Sequence, residues 1–251
     1  MTDAKPPKYF IRFSQDSDFD KLSDFYDLNS HKNVLKREHD LMKKMTEEGA
    51  VILVEDEHGK IVAASITYAH MAKDEHGVEH IKWQEVGTTR IALNGFSGIF
   101  DAMIALQGLR GFLVEPPDTT FVAQMETTPV QNLAGKLGWR KMEGGPSAEL
   151  LAGKGKTVSD GHATSNDWYV FGIEALPVAA KWLENAMKNP VMTNKKTGEQ
   201  IELDFSKSTF VAMFKDEIKN LAVRDFGDVD KPDPAQSLHQ RRDVWLKKFF
   251  R

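Results

Sequence analysis

Residues 94–100, NGFSGIF, lie between a strand-like run and a stretch with helical periodicity. The apolar segment 90–93 precedes them, and DAMIAL at 101–106 follows them. A helix that begins near Ser97 would leave its first N–H groups unpaired and partly positive, and two glycines would let an anion approach the backbone closely. Two glycines before a helix are also typical of an ordinary tight turn. The stretch by itself therefore allows either a phosphate-binding loop or a turn.

The sequence before this loop predicts an antiparallel meander of three strands. AVILVE (50–55) and IVAASITYAH (61–70) are β-branched or aliphatic, and the polar connector DEHGK between them is typical of a hairpin. HIKWQEVGTTRIAL (80–93) is the third strand, and Gly87 within it indicates a bulge at Gly87-Thr88. A strand at 9–14 and two helices precede the meander, the second of them at 33–48.

After the loop, helices and strands alternate before the chain becomes mainly helical. The predicted elements are a helix from about 98, a strand at 119–126, a short helix at 128–138, a strand at 139–143, a loop at 143–166, a strand at 167–175, a helix at 178–188, a hairpin across 194–199 and a helix at 206–222. The strand–helix–strand crossover at 81–126 makes its two strands parallel, unlike the meander. The sequence therefore predicts an α/β (α+β) domain with a mixed, mostly antiparallel sheet in residues 8–175, and a mainly helical extension in 176–251.

Composition narrows the function classes. The chain has 251 residues, is 41% hydrophobic and has a formal net charge of −4, so nothing in its overall charge favours nucleic acid. It has no cysteine, which excludes disulfides, thiolate zinc sites and a cysteine nucleophile. The first residues contain no apolar core of a signal peptide, and no run of eighteen apolar residues occurs, so we expect a cytoplasmic protein without a membrane span.

The element order resembles that of the general-control-type N-acetyltransferase (GNAT) superfamily. The hairpin at 50–70, the strand–glycine–helix unit and a late unit that ends in KLGW (136–139) carry the resemblance, which covers about residues 8–175. It implies an N-acyltransferase that moves an acyl group, most simply acetyl, from acyl-CoA to a small-molecule or protein amine. It also implies that the pyrophosphate of acyl-CoA binds the loop residues Gly95, Phe96, Ser97, Gly98 and Ile99.

The loop departs from the pattern of the superfamily. That pattern is Arg or Gln, two residues, Gly, any residue, then Gly or Ala. With Gly98 as its last position, Leu93 stands in the place of the Arg or Gln and Phe96 in the place of the first glycine. The acyl-CoA loop is therefore degenerate, and Gly98 with the helix amides after it is its best-supported part.

The resemblance also assigns roles outside the loop. Glu85, on the strand before the loop and flanked by Trp83 and Val86, is the predicted general base, and an apolar setting would favour its protonation. A solvated carboxylate on an edge strand is the alternative. Asn132 is a further predicted acyl-CoA contact or a turn cap. Ala134 occupies the place of the tyrosine that often protonates the leaving thiolate.

Other interpretations have weaker support. A non-catalytic acyl-CoA-binding or protein-interaction module of the same fold is the main alternative function. His70, His76 and His80 lack the spacing of a metal site, and we predict no metal. The region around Ser97 does not match the Gly-x-Ser-x-Gly pattern of serine hydrolases. The basic and aromatic tail QRRDVWLKKFFR is expected to dock onto the protein or onto a second subunit as a homodimer contact, with a membrane surface or RNA as alternatives.

Overall fold

A computed structural model describes residues 5–30, 38–73, 75–114, 120–125, 127–142 and 168–223. The first part of the helix predicted at 33–48, the loop predicted at 143–166 and the C-terminal tail lie outside the described residues. The predicted homodimer contact of the tail therefore stays a prediction.

The described residues form strands and helices in nearly the predicted order. The strands are β1 Lys8–Phe13, β2 Val51–Asp56, β3 Ile61–Lys73, β4 Glu79–Ile91, β5 Thr120–Gln124, β6 Arg140–Lys141, β7 Trp168–Phe171, β8 Val191–Thr193 and β9 Gln200–Asp204. The helices are α1 Phe19–Leu28, α2 His39–Glu47, α3 Ser97–Val114, α4 Thr128–Lys136, α5 Ala175–Lys188, α6 Thr209–Met213 and α7 Lys215–Ala222, and a short 3-10 turn, Asp16–Asp18, precedes α1.

All nine of these strands belong to one mixed sheet with the order β6-β7-β5-β4-β3-β2-β1-β9-β8. The meander β2-β3-β4 is antiparallel, whereas β4 pairs with β5 in parallel across the α3 crossover. The predicted mixed, mostly antiparallel sheet is therefore confirmed.

The two faces of the sheet carry different helices because successive residues of a strand point to opposite sides. Ile52 and Val54 of β2 join the large core formed with α3 and α5, and Val51 and Leu53 join a smaller core with α1 and α2. Helix α3 is the one described helix that is long and apolar enough to cross a membrane. It lies as a core helix instead, with 67% of it buried.

The extension after residue 175 is mainly helical in its described part, as predicted, and it also contributes to the sheet. The hairpin predicted across 194–199 is present as β8-β9, and β9 pairs in parallel with β1. The prediction of a single helix at 206–222 is wrong, because Phe214 has non-helical backbone angles (φ −107°, ψ 23°) and separates α6 from α7. The division at 175/176 stays a prediction, and the described part of the extension shares both sheet and core with the rest.

A group of charges, buried except for the exposed Lys207, joins the extension to the start of the chain. The Arg12 guanidinium donates to Asp18 at 2.6 and 2.8 Å and to Glu55 at 2.9 Å, and Lys207 donates to Glu55 at 2.8 Å. Burial alone would raise the pKa of both carboxyls, but these hydrogen bonds outweigh it and hold the pKa of Asp18 and of Glu55 below the usual range. The group therefore ties β1, β2 and the segment after β9 together.

Candidate active site

The parallel ladder between β4 and β5 is short and ends at Glu85. Among the described residues, the pairs with β5 are formed by Trp83, Gln84 and Glu85, opposite 120–122, although β4 continues to Ile91. From Val86 onward, the described part of β4 has no ladder with the described part of β5 and keeps β3 as its partner on the other side. A fork between two parallel strands thus begins at the predicted base.

Glu85 is buried at this fork and is not the solvated edge carboxylate of the alternative reading. Its side chain is 9% exposed and lies on the sheet face that α1 and α2 cover, directly opposite Tyr68. His70 of β3 is one of its polar partners, with 3.1 Å between His70 Nε2 and Glu85 Oε2. The role of Glu85 in catalysis stays a proposal, but its position suits a proton acceptor on the side of α1 and α2.

The predicted bulge at Gly87-Thr88 is confirmed. The pairing of β3 with β4 shifts register between Ala64/Arg90 and Ile66/Gly87, and Thr88 has a φ of +50°. A β-branched residue rarely adopts a positive φ, so the surroundings must hold it there.

Hydroxyl groups from two elements hold the bulge. Tyr26 of α1 donates to the Thr88 carbonyl at 2.9 Å, and the Tyr68 hydroxyl lies 2.6 Å from Thr88 Oγ1. Ser65 Oγ lies 2.8 Å from Thr89 Oγ1. These bonds fix the backbone of β4 next to Glu85 and connect it to α1.

The loop 94–98 ends at the N-terminus of α3. Gly95 adopts a φ of +88°, a left-handed conformation that favours glycine, and α3 begins at Ser97. Phe96 and Ile99 are buried in the main core, so only their backbone groups are available to a ligand. The Ile99 N–H donates to the Phe96 carbonyl at 3.1 Å, which leaves the N–H groups of Ser97 and Gly98 as the natural donors to an anion.

The β8-β9 hairpin gives both glycines a second role. A Cβ at Gly95 would lie 2.6 Å from Asn194 Oδ1, and one at Gly98 would lie 2.7 Å from Met192 Sδ. Asn194 is 4% exposed, and its Nδ2 donates to the Asn94 carbonyl at 3.1 Å. A side chain at 95 would clash with the buried Asn194, and one at 98 would force the Met192 side chain to move, so packing within the chain favours glycine at both positions whether or not a phosphate binds.

Helix α4 lies beside α3 and carries the remaining predicted residues. Asn132 is exposed on α4. Ala134 is fully buried and has no acidic group, so it cannot protonate the thiolate.

Asp101 of α3 is a buried carboxyl that the sequence analysis did not predict. Burial raises its pKa to about 6 against the opposing charge of Lys136, and its Oδ1 has no hydrogen-bond partner among the described residues. The one signal in the sequence is that Asp101 follows the apolar pair Ile99–Phe100 on the same helix.

No metal centre is evident in the part of the chain that the structure describes: no three His, Asp or Glu side chains there are grouped to hold an ion. His70, one of the three histidines considered for such a site, pairs with Glu85 instead. His76 and Glu75, by contrast, are both exposed in the β3–β4 connection.

No protein-family model and no curated protein sequence matches the chain. Among solved structures, the Rv2747 protein of Mycobacterium tuberculosis in complex with CoA and NLQ is similar, with 18% identity, a TM-score of 0.41, and coverage of 77% of this chain and 99% of that one. Diaminobutyrate acetyltransferase EctA of Paenibacillus lautus, in complex with L-2,4-diaminobutyric acid and coenzyme A, has 15% identity and a TM-score of 0.41 over 65% of this chain and 94% of that one. The GNAT family N-acetyltransferase YhbS of Escherichia coli, in complex with CoA, has 13% identity and a TM-score of 0.38 over 56% and 73%.

At these TM-scores and identities the likenesses decide neither the fold nor the activity. The units on which the sequence resemblance rests are nevertheless present in the chain itself: the β2-β3 hairpin, the β4–loop–α3 unit and the β5–α4 unit that ends at Trp139. These units and the mixed sheet to which they belong are those predicted from the sequence.

Proposed function

We propose that the protein is an N-acyltransferase that moves an acyl group, most simply acetyl, from acyl-CoA to an amine. The observation that carries the proposal is the fork at Glu85, where the β4–β5 ladder stops, β4 bulges and a buried carboxylate stands beside the gap. An extended thioester arm that enters such a fork meets an unpaired strand edge on one side and a proton acceptor on the other.

Acyl-CoA is the proposed co-substrate, and its pyrophosphate binds at the start of α3. The N–H groups of Ser97 and Gly98 point out of the first turn of an 18-residue helix, where the helix dipole favours an anion. Gly95, Phe96 and Ile99 contribute through their backbone only. Asn132, exposed on the neighbouring α4, is the proposed contact farther along the cofactor.

In the proposed reaction, Glu85 removes a proton from the acceptor ammonium group, directly or through a water. The freed nitrogen lone pair forms a bond to the thioester carbonyl carbon. The nitrogen then loses a second proton to solvent, and the C–S bond breaks to release the thiolate. A backbone N–H at the Gly87-Thr88 bulge is the proposed donor to the developing oxyanion. With alanine at 134 the thiolate takes its proton from solvent or from a group that the sequence pattern of the superfamily does not name.

The acceptor is proposed to be a small-molecule or protein amine that enters between β4 and α1, because Tyr26 of α1 already contacts the bulge. Nothing in the described residues favours a nucleic acid. The cytoplasmic location stays a prediction.

One observation favours the alternative of a non-catalytic module. Met192 and Asn194 occupy the space that glycines 98 and 95 leave open, so these glycines do not require a phosphate to explain them. On this alternative the loop serves to seat the hairpin, and CoA either binds without reaction or does not bind.

Thiol release distinguishes the two functions. Because the chain has no cysteine, a thiol-reactive dye reports only on free CoA. We expect acetyl-CoA to raise the melting temperature and an amine panel of amino acids, polyamines and peptides to give thiol release. Binding without release from any acceptor supports the module, and absence of binding overturns the proposed function.

A matched pair of variants tests the base. Glu85→Gln should lower turnover by about 10²–10⁴-fold with little change in acetyl-CoA affinity, because it removes only the proton acceptor. Glu79→Gln, on the same strand but exposed, is the control and should retain full turnover. Unchanged turnover in Glu85→Gln would exclude Glu85 as the base.

A further inference from the structure

Two buried glutamines carry side-chain oxygens that accept no hydrogen bond within the described residues. Gln84 of β4 is 4% exposed and Gln107 of α3 is 2% exposed, and the Oε1 atom of each is without a hydrogen-bond partner there. Gln107 uses its other amide atom, because its Nε2 donates to Thr67 Oγ1 of β3 at 3.0 Å. An unpaired acceptor that is removed from water costs free energy, so two of them together indicate a place for a group that donates hydrogen bonds.

Both glutamines lie on the α3 side of the sheet. Thr67 is opposite Val86 in the β3–β4 ladder, and Val86 belongs to the core that α3 and α5 cover. Gln84 is two residues before Val86 on the same strand, so its side chain points to the same face. The hydrogen bond between Gln107 and Thr67 therefore places Gln107 next to the part of β4 that carries Gln84.

This part of β4 is the closed end of the fork, where the strands β4 and β5 are still paired. Gln84 is paired with Phe121, and Glu85 forms the last described pair with β5 before the strands separate. Phe121 belongs to the core on the α3 side, whereas Glu85 points to the face that α1 and α2 cover. The closed end thus has a carboxylate on one face and two unpaired amide oxygens on the other.

The acyl chain of a bound thioester has one open direction at this closed end. In the proposed function the thioester lies next to Glu85 and the Gly87-Thr88 bulge. The backbone hydrogen bonds of the β4–β5 ladder block the direction straight ahead, and the face of Glu85 must admit the amine. The acyl chain is therefore directed to the α3 face, where it meets Val86 and then Gln84.

We propose that Gln84 and Gln107 select the acyl group, because their Oε1 atoms accept hydrogen bonds from a donor on the acyl chain. This inference rests on the proposed function and makes an acyl group that bears a hydroxyl, in place of plain acetyl, the preferred co-substrate. An amide oxygen can only accept a hydrogen bond, so an acyl chain without a donor leaves both oxygens unpaired. A site of this kind rejects the analogue that lacks the donor more strongly than an apolar pocket rejects an added hydroxyl.

A matched pair of thioesters tests the selection. β-Hydroxybutyryl-CoA and butyryl-CoA differ only in the hydroxyl group, and thiol release is measured for both with the same amine. We expect kcat/KM of the wild type to be about 10-fold or more higher for the hydroxy ester. Gln84→Leu and Gln107→Leu keep a side chain of similar size without the acceptor, and each should abolish or reverse this preference. Gln200→Leu, exposed on β9, is the control and should keep it.

Two further readouts do not depend on turnover. Calorimetric titration should show the same order of Kd for the two esters and the same loss of preference in the variants. Without ligand, Gln84→Leu should melt at or above the temperature of the wild type, because it removes an unpaired buried acceptor.

The outcomes separate this inference from the proposed function. A preference in binding without thiol release would support the selection by Gln84 and Gln107 and refute the transferase. Thiol release with equal kcat/KM for the two esters would support the transferase and overturn the selection. A preference that persists in both variants, or a Gln84→Leu variant that melts well below the wild type, would also overturn it, since the glutamines would then serve the packing of the core alone.

Discussion

Substitution of Asn194 by alanine should weaken both the β8-β9 hairpin and the loop 94–98, which are distant in sequence but in contact in the fold. Asn194 Nδ2 donates to the Asn94 carbonyl at 3.1 Å, and its Oδ1 accepts from the backbone N–H groups of Lys196 at 3.0 Å and Thr197 at 3.4 Å. Loss of the bond to Asn94 costs about 1 kcal/mol. The N–H groups of Lys196 and Thr197 are near solvent, so the loss of their hydrogen bonds lowers the stability by less. The space left beside Gly95 adds the cost of a cavity to the free energy lost. The sum is about 2 kcal/mol, which corresponds to a fall of about 4–8 °C in melting temperature for a chain of this size.

Urea unfolding and CoA titration measure the two effects. If the loop 94–98 binds phosphates, Asn194→Ala should also raise the Kd for CoA by about 10-fold, because the loop loses the contact that fixes it. Asn185→Ala, an exposed asparagine on α5, should lie within about 0.5 kcal/mol of the wild type in stability and should bind CoA normally. A destabilised Asn194→Ala that binds CoA as tightly as the wild type would refute the reasoning that the hairpin positions a cofactor loop.

The buried charges give the remaining predictions. Arg12→Met should lower the free energy of unfolding by about 3 kcal/mol at pH 7 in urea, because the buried Asp18 loses its cationic partner and Glu55 is left with Lys207. A loss below about 1 kcal/mol would contradict this. Since the pKa of both carboxyls is lowered in the folded state, the wild type keeps this stability above the ordinary carboxyl range and loses it as the pH falls below about 4. The deficit of Arg12→Met should therefore shrink in acid, and a deficit that grows would contradict the assignment. Burial raises the pKa of Asp101 to about 6. The ionised carboxylate therefore destabilises the folded state, and this loss of stability grows as the pH rises from about 4 to 6. Asp101→Asn should accordingly raise the melting temperature at pH 7 but not at pH 4, and equal effects at both would refute the argument.

The central part of the fold could be predicted because local patterns determine it. The hairpin 50–70 has a polar turn between two aliphatic arms, and Gly87 within a strand indicates the bulge that the structure contains. The pairing of β9 with β1 could not be predicted, because the two strands are about 190 residues apart and neither pattern names a partner. The break at Phe214 was missed because the apolar periodicity continues across it.

The sequence could predict on which strand or helix each candidate residue lies, but not which residues they contact. The position of Glu85 follows from its strand, whereas its pairing with His70 depends on the register across the β3–β4 connection. A register shift between His70 and Met71 changes which residues face each other there. The contact of Asn194 with the loop joins residues 100 positions apart and has no local signature. Gly95 and Gly98 show what a local pattern leaves undetermined. Their sequence pattern suggested room for a phosphate, whereas in the structure the β8-β9 hairpin packs against the same positions.

A structure of the protein with bound CoA tests the central claim most directly. The account predicts that the pantetheine arm enters the fork between β4 and β5, with pyrophosphate oxygens within about 3 Å of the Ser97 and Gly98 N–H groups. It also predicts that the thiol lies next to Glu85 and the Gly87-Thr88 bulge. CoA bound elsewhere, or pyrophosphate excluded from the start of α3 by the hairpin, would contradict it.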